Sequence, residues 1–284
     1  MSTVLIYPNN QKKNALETTQ LVQSYLLRLN IQALILDSLQ SLDLFKAENR
    51  LNDILAVITI GGDGTILRMA QQCSLWTYPV LGINLGSLGF MADVTLEELE
   101  IALEDLACRR YSIKERMRLE IHFEDQTFFA LNDASVHRGN LPCLVDIAAF
   151  VNHQFVSNFN ADGIVVATPN GSTAYSLSAG GPIVTPEVEC LLLTPICPHT
   201  LSNRSLVLHS LSELRLELMG HGEGSNLSVD GIVVGQIKKN SSILIKKAKE
   251  NFKWISLNRH DYYQTLRTKL GWNNQLRQIS LKSS

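Results

Sequence analysis

Two hydrophobic periodicities divide the chain. Up to about residue 110, short apolar runs alternate with segments whose apolar residues recur at helical spacing, the order a parallel α/β sheet requires. Val4 to Tyr7, Ala33 to Leu36, Leu55 to Ile60 and Pro79 to Asn84 read as strands. Ala15 to Leu29 reads as a helix with Leu16, Val22, Leu26 and Leu29 on one side, and Leu96 to Leu106 as another with Thr95 as N-cap. Leu42 to Asn52 fits neither pattern. From Tyr111 the period shortens to two: Met117, Leu119, Ile121 and Phe123 alternate with Arg118, Glu120 and His122. Further strands are expected at Phe128 to Leu131, Ile147 to Val151, Gly163 to Thr168, Ser205 to Leu208, Leu214 to Leu218, Ile243 to Ile245 and Trp254 to Leu257. Leu227 to Val234 reads as a hairpin turning on Asp230-Gly231. Tyr262 to Leu270 is helical again and stops at Gly271, a C-cap residue. The expected fold is an α/β N-terminal domain over residues 1–110 and a mainly antiparallel β-sandwich over 111–258.

The strand at Leu55 to Ile60 runs into Gly61-Gly62-Asp63-Gly64-Thr65, and a helical pattern follows at Ile66. A glycine turn between strand and helix brings bare backbone close to a phosphate. It also places one carboxylate, Asp63, at its tip. A pure phosphate-binding turn would avoid an anion there; a phosphoryl-transfer site uses one to take a proton or hold a metal ion. The bland alternative is a tight turn with Asp63 as a helix cap. No G-x-x-x-x-G-K-[ST] or G-x-G-x-x-G spacing occurs. Asn84 to Phe90 forms a second glycine-rich loop, expected at the same sheet edge, where ligands collect in open α/β sheets. Asn132-Asp133 has donors and acceptors for ribose hydroxyls or an adenine edge, although alone it reads as a turn pair. In the run Asp162 to Pro182 an apolar strand passes into a polar helix start, with Ser172 or Thr173 as N-cap, Tyr175 as a stacking ring, and hydroxyls at Ser176 and Ser178.

Composition narrows the field. The 284 residues are enough for two domains at roughly 150 each, and 45% hydrophobic with 18% charged residues fits a folded globular chain. A net charge of −2 gives no footprint for nucleic acid or an anionic membrane. The five cysteines are scattered without a C-x-x-C pair, as expected of thiols in a reducing cytosol, and neither a signal peptide nor a membrane helix is expected. His122 reads as exposed; His137 and Arg138 follow the Asn132-Asp133 pair, and a surface position is preferred to one at the edge of the site. For His199 a structural or subunit contact competes evenly with ligand contact. Trp76, Trp254 and Trp272 read as packing residues.

Taken together, Gly61 to Thr65, Asn132-Asp133, the run Asp162 to Pro182, Pro198 to Ser202 and Lys269 to Trp272 resemble the bacterial NAD kinases over nearly the whole chain and in the family's order. The glycine turn alone is also similar to lipid kinases and phosphofructokinases. The resemblance implies an NAD kinase/diacylglycerol kinase-like fold with a Rossmann-like sheet, joined by the C-terminal helix at about residues 259–284. It implies Mg²⁺-dependent transfer of a phosphoryl group from ATP or another donor to the 2′-hydroxyl of the adenosine ribose of NAD, giving NADP. By position, Asp63 is the proton acceptor and an NAD contact. Gly61, Gly62, Gly64 and Thr65 line the phosphate path, and Arg68 lies near the nucleotide. Asn132 and Asp133 are the dinucleotide pair, and Asp162 holds the nicotinamide side. Thr173, Ala174, Tyr175, Ser176, Leu177 and Ser178 enclose the adenosine. The metal comes with the triphosphate rather than with a protein cage. A cytoplasmic homo-oligomer, dimer or tetramer, is also implied. Ile232, Asn160 and Ser205 depart from residues common in the family. A diacylglycerol-type lipid kinase and a non-catalytic NADP-sensing protein are the competing readings.

Overall fold

The computed structural model describes residues 2–36, 54–71, 78–86, 89–92, 94–140, 143–200, 202–219 and 224–272. Leu42 to Asn52 and Trp76 lie outside the described residues. The chain divides into two compact units. One comprises Met1–Ile66, Val80–Ile113 and Ile255–Ser284, and the other Leu67–Pro79 and Lys114–Trp254.

The first unit is built on four parallel strands, β1 (Thr3–Pro8), β2 (Gln32–Ile35), β3 (Ile54–Gly61) and β4 (Val80–Asn84), in the order β2-β1-β3-β4. The sheet continues through β18 (Phe252–Ser256) to β5 (Ser112–Arg116), where the chain passes between the units. β1 and β4 are buried along their whole length, in keeping with the apolar runs Val4 to Tyr7 and Val80 to Ile83 within them. Helix α1 (Ala15–Arg28) packs Val22 and Leu26 inward, but Leu16 is 68% exposed, against the inward face expected for it. Helix α2 (Asp63–Ala70) starts directly at the glycine turn and buries Ile66 and Met69. Helix α3 (Leu99–Ala107) starts later than expected. Thr95 does not cap it; instead Glu98 accepts hydrogen bonds from the Thr95 amide at 3.2 Å and hydroxyl at 3.0 Å.

The second unit is a sandwich of two six-stranded sheets. One runs β10 (Gln154–Ala161), β9 (Val145–Val151), β14 (Leu214–Leu218), β17 (Ser242–Lys247), β6 (Leu119–Phe123), β7 (Gln126–Ala130). The other runs β13 (Leu206–His209), β12 (Cys190–Ile196), β11 (Gly163–Ala167), β8 (Asp133–His137), β15 (Ser225–Val229), β16 (Ile232–Ile237). Every pairing in both is antiparallel. Inward residues of both sheets, including Ile121, Ile147, Ile164, Leu193, Leu216 and Leu227, form one core. The outer face of β11 and β12 has its own cluster, Val165, Ala167, Cys190 and Leu192, with Ala179 and Val184 packed on it.

Several elements differ from expectation. β8, in the middle of its sheet, replaces the turn expected at Asn132-Asp133. β12 was masked by its unalternating Leu run and by Pro195, which disfavours strands. The structure accommodates Pro195 because β13 pairs only with Cys190 to Leu193, leaving Pro195 beyond its neighbour on that side. The last helix, α5 (Tyr262–Leu270), is as expected: Asp261 caps it through the Gln264 amide at 3.2 Å, and Gly271 closes it at φ 67°. Trp254 is buried, with the Arg116 guanidinium 5.1 Å from its ring centre, whereas Trp272 is 52% exposed and is not a packing residue.

Candidate active site

In the first unit, β3 delivers the glycine turn and α2 lifts Asp63 from it. The Asp63 carboxylate is fixed by backbone. Oδ2 accepts from the Phe90 amide at 2.8 Å, and Oδ1 from Met91 at 3.1 Å and Ala92 at 2.9 Å. The glycine-rich loop after β4 therefore serves as an amide cradle. Asn84, at the end of β4, holds that loop by accepting from the Gly86 amide at 2.9 Å and donating to the Ala92 carbonyl at 3.2 Å. A Cβ at Gly89 would lie 2.2 Å from Asp63 Oδ1, so only glycine permits this approach. A carboxylate offers about four acceptor sites; the cradle fills both on Oδ1 and one on Oδ2. Gly61 is constrained too, since a Cβ there would lie 2.1 Å from Thr65 Oγ1. The Thr65 hydroxyl is buried rather than presented along a phosphate path. Gly64 and Arg68 are exposed.

In the second unit, a pocket of about 400 Å³ opens on the outer face of the β8–β15 pair. Strand alternation builds it. Ala134 and Val136 of β8 enter the core, so Asp133, Ser135 and His137 face the pocket, with Ser228 of β15 opposite Ser135. His137 Nε2 and Ser228 Oγ are hydrogen-bonded at 2.9 Å, and burial pushes the imidazole pKa down. Asp230 and Gly231, at φ 45° and 78°, make the two-residue hairpin turn expected of Asp-Gly. Asp230 turns its carboxylate back under the start of β8 and accepts from the amides of Leu131 at 2.9 Å, Asn132 at 2.8 Å and Asp133 at 3.1 Å. Burial pushes Asp230 up to about 6 against those three donors. Burial, and then the charge of Asp230, push Asp133 up to about 7, opposed by the Tyr175 amide.

Asn132 is locked from the other side. The Asn170 amide donates to its side-chain oxygen at 2.6 Å, Thr168 Oγ1 donates to the Leu131 carbonyl at 2.6 Å, and Gly171 lies so close that a Cβ would be 2.2 Å from the Asn132 carbonyl.

Of the residues expected in the site, Asn132, Asp133, Ala174 and Tyr175 line this pocket, and the Tyr175 ring is 41% exposed. The helix start expected with Ser172 or Thr173 as N-cap is different. A 3-10 turn covers Asn170–Thr173, and the short helix α4 (Tyr175–Ser178) begins after Ala174 with no side-chain cap. Ser172 instead exchanges hydrogen bonds with the backbone of Val184, at 3.0 and 3.1 Å. The Ser176 hydroxyl is fully buried against Thr194 Oγ1 at 3.2 Å, and the Thr173 hydroxyl donates to the Asn170 carbonyl at 3.3 Å. Leu177 is half-buried and Ser178 exposed. Asp162 is not in the wall; it pairs with Arg138 at 2.8 Å. Sequence reasoning missed Leu67, Ser135, Ser228, Asp230 and Gly231 as pocket residues, and for His137 preferred a surface position to one at the edge of the site. Reading Asp133-x-Ser135-x-His137 as one strand face would have placed both Ser135 and His137 in the wall.

Comparison with known proteins decides the family. The profile described as ATP-NAD kinase N-terminal domain matches residues 4–111, and that described as ATP-NAD kinase C-terminal domain matches residues 131–257. The chain belongs to the NAD kinase family. Among curated members, the NAD kinase of Protochlamydia amoebophila is 39% identical over 277 residues, covering 96% of this chain and 99% of that one. The NAD kinase of Geobacter metallireducens is 41% identical over 223 residues, covering 77% and 79%. Among solved structures, yeast NADH kinase complexed with NADH superposes with a TM-score of 0.82 at 28% identity, covering 98% of this chain and 90% of that one. An NAD kinase from Archaeoglobus fulgidus in complex with ATP has a TM-score of 0.75 at 24% identity, covering 95% and 99%, a likeness of fold.

Proposed function

We propose that this chain, as an NAD kinase, uses Asp63 to accept the proton of the adenosine ribose 2′-hydroxyl of NAD as that oxygen takes the phosphoryl group from ATP, giving NADP. The observation that carries the role of Asp63 is its amide cradle: three fixed donors orient the carboxylate and leave one acceptor site on Oδ2. A ribose hydroxyl is a poor nucleophile at neutral pH, and a positioned base contributes typically 10²–10⁴-fold. Most of the remaining acceleration comes from alignment and charge stabilisation.

Asn132, Asp133, Ala174 and Tyr175 bind the dinucleotide in this reading, flanked by the backbone of Thr173 and Ser176 to Ser178; Asp162, paired with Arg138 outside that wall, would meet only the nicotinamide side. The hydroxyls of Thr173 and Ser176, already bonded to the Asn170 carbonyl and Thr194, shape the wall rather than contact the ligand. Gly61, Gly62 and Gly64 give the donor phosphates room, with Arg68 as a nearby cation. Among the described residues no group of three or more His, Cys, Asp or Glu side chains converges, so no protein cage is assigned to Mg²⁺. A divalent cation carried by the triphosphate would neutralise its charge. We also place the chain in the cytoplasm as a homo-oligomer, on family resemblance; no helix among the described residues is long and apolar enough to cross a membrane.

The test is product analysis with purified protein, Mg²⁺, and ATP or polyphosphate as donor, offered NAD, NADH or a diacylglycerol emulsion. Formation of NADP with an untouched lipid is the expected result. Lipid phosphorylation, or tight NAD binding with no product, overturns the reading.

A further inference from the structure

A second pocket, of about 450 Å³, lies in the first unit and is lined by Asn10, Lys12, Asn14, Ala15, Leu16 and Glu17. Its position follows from the topology. The strands stay parallel, but the order in which the chain adds them reverses between β1 and β3, and open α/β sheets bind ligands outside the carboxyl ends of their strands at such a point. Lys12 follows the end of β1, and Gly61-Gly62 closes β3. The two strand ends are tied by the Asn9 amide donating to the Ile60 carbonyl at 2.9 Å.

Lys12 Nζ donates to the Gly61 carbonyl at 2.7 Å, and a Cβ on Gly62 would lie 3.3 Å from it. The ammonium is therefore held on the glycine turn itself. That bond uses one of three donors. Among the described lining residues Glu17 is the one carboxylate; it repels phosphate and leaves that role to the Lys12 side. Leu16, whose exposure the packing of α1 does not explain, gives the pocket an apolar wall, and Asn10 and Asn14 add amides suited to a base edge or sugar hydroxyl.

We propose that Lys12 binds the phosphates of the donor nucleoside triphosphate beside Gly61-Gly62, and that the pocket lined by Leu16 holds its nucleoside. This rests on the kinase reading above and assigns the donor side of that reaction.

Lys12→Met is expected to raise KM for ATP by about tenfold or more, the loss of one charge-assisted contact, with KM for NAD within about twofold of wild type. Lys12→Arg is expected to recover part of the loss. Leu16→Asp is expected to weaken ATP but not polyphosphate, which has no nucleoside. Calorimetry of each variant with a non-hydrolysable ATP analogue and Mg²⁺ gives the same comparison if turnover is lost. Unchanged ATP affinity in Lys12→Met, or an equal rise in KM for NAD, overturns the Lys12 proposal. Failure of the wild-type protein to phosphorylate NAD would instead overturn the functional reading beneath it.

Discussion

Asp63 and Asp230 each accept hydrogen bonds from three consecutive backbone amides, those of Phe90, Met91 and Ala92 in one case and of Leu131, Asn132 and Asp133 in the other. In both the loop is shaped around the carboxylate, by Gly89 beside Asp63 and by the left-handed Asp230-Gly231 turn. The surroundings differ. Asp63 opens a helix and is half-exposed, followed by the exposed Gly64. Asp230 is also intermediate in exposure, but it sits beside the buried carboxylate of Asp133, and both are pushed toward neutrality. An amide cradle fixes where a carboxylate points; burial and neighbouring charge decide whether it is ionised. The first arrangement suits a base that must meet a hydroxyl, and the second suits a clip that holds Asn132 and Asp133 in place.

Gly89→Ala attacks the first cradle without touching the carboxylate's chemistry. The new Cβ would meet Asp63 Oδ1, Cγ and Oδ2 at 2.2, 2.7 and 2.9 Å, so the carboxylate must move. We expect kcat to fall by on the order of 10²-fold, the usual cost of misplacing a reacting group by about 1 Å, with NAD affinity unchanged by calorimetry. A wild-type kcat would mean that the cradle does not position Asp63.

Asp230→Asn attacks the second. An amide oxygen cannot satisfy all three donors as a carboxylate does, so the Leu131 to Asp133 segment loosens. KM for NAD should rise about tenfold, with a smaller change in kcat at saturation. A large fall in kcat at unchanged KM would assign Asp230 to the chemistry and erase the contrast between the two cradles.

The smallest effect is on stability, and Asp133→Asn reads it apart from any loss of NAD binding at that residue. Because the folded pKa of Asp133 lies above its ordinary value of 3.8, the folded state binds the proton more tightly. Its contribution to stability therefore grows as pH falls below about 7 and is complete below about 4. Wild-type protein should gain on the order of 1 kcal/mol or more from this group between pH 8 and pH 5. His137, with its pKa pushed down, works the other way below its ordinary 6.5. The readout is accordingly the difference between wild type and Asp133→Asn in urea unfolding. The variant should be relatively more stable at pH 8 and the gap should close at pH 5; a pH-independent gap would refute the raised pKa.

The fold class was legible because parallel and alternating patterns are written directly in the apolar spacing. The glycine turn was legible because only a few structures need three glycines around one aspartate. The cradles were not. Both are made of backbone amides, which carry no residue signature, and the Asp230 carboxylate was hidden because an Asp-Gly turn already accounts for that residue. The same ambiguity hid β8: Asn132-Asp133 looks like a turn pair, yet Asp133 begins a strand whose outer face carries Ser135 and His137 into the pocket. Ser176 shows the reverse error: its hydroxyl looked free for a ligand, and Thr194 claims it. Ser172 and Thr173, read as N-caps, bond instead to Val184 and to the Asn170 carbonyl.

The role proposed for Asp63 is tested most directly by Asp63→Asn, which keeps the side chain's shape and one acceptor while removing its basicity. NAD affinity measured by calorimetry should stay within about twofold of wild type, and single-turnover formation of NADP from bound NAD, ATP and Mg²⁺ should slow by at least about a hundredfold. Near wild-type turnover in that variant would contradict the assignment of Asp63 as the base.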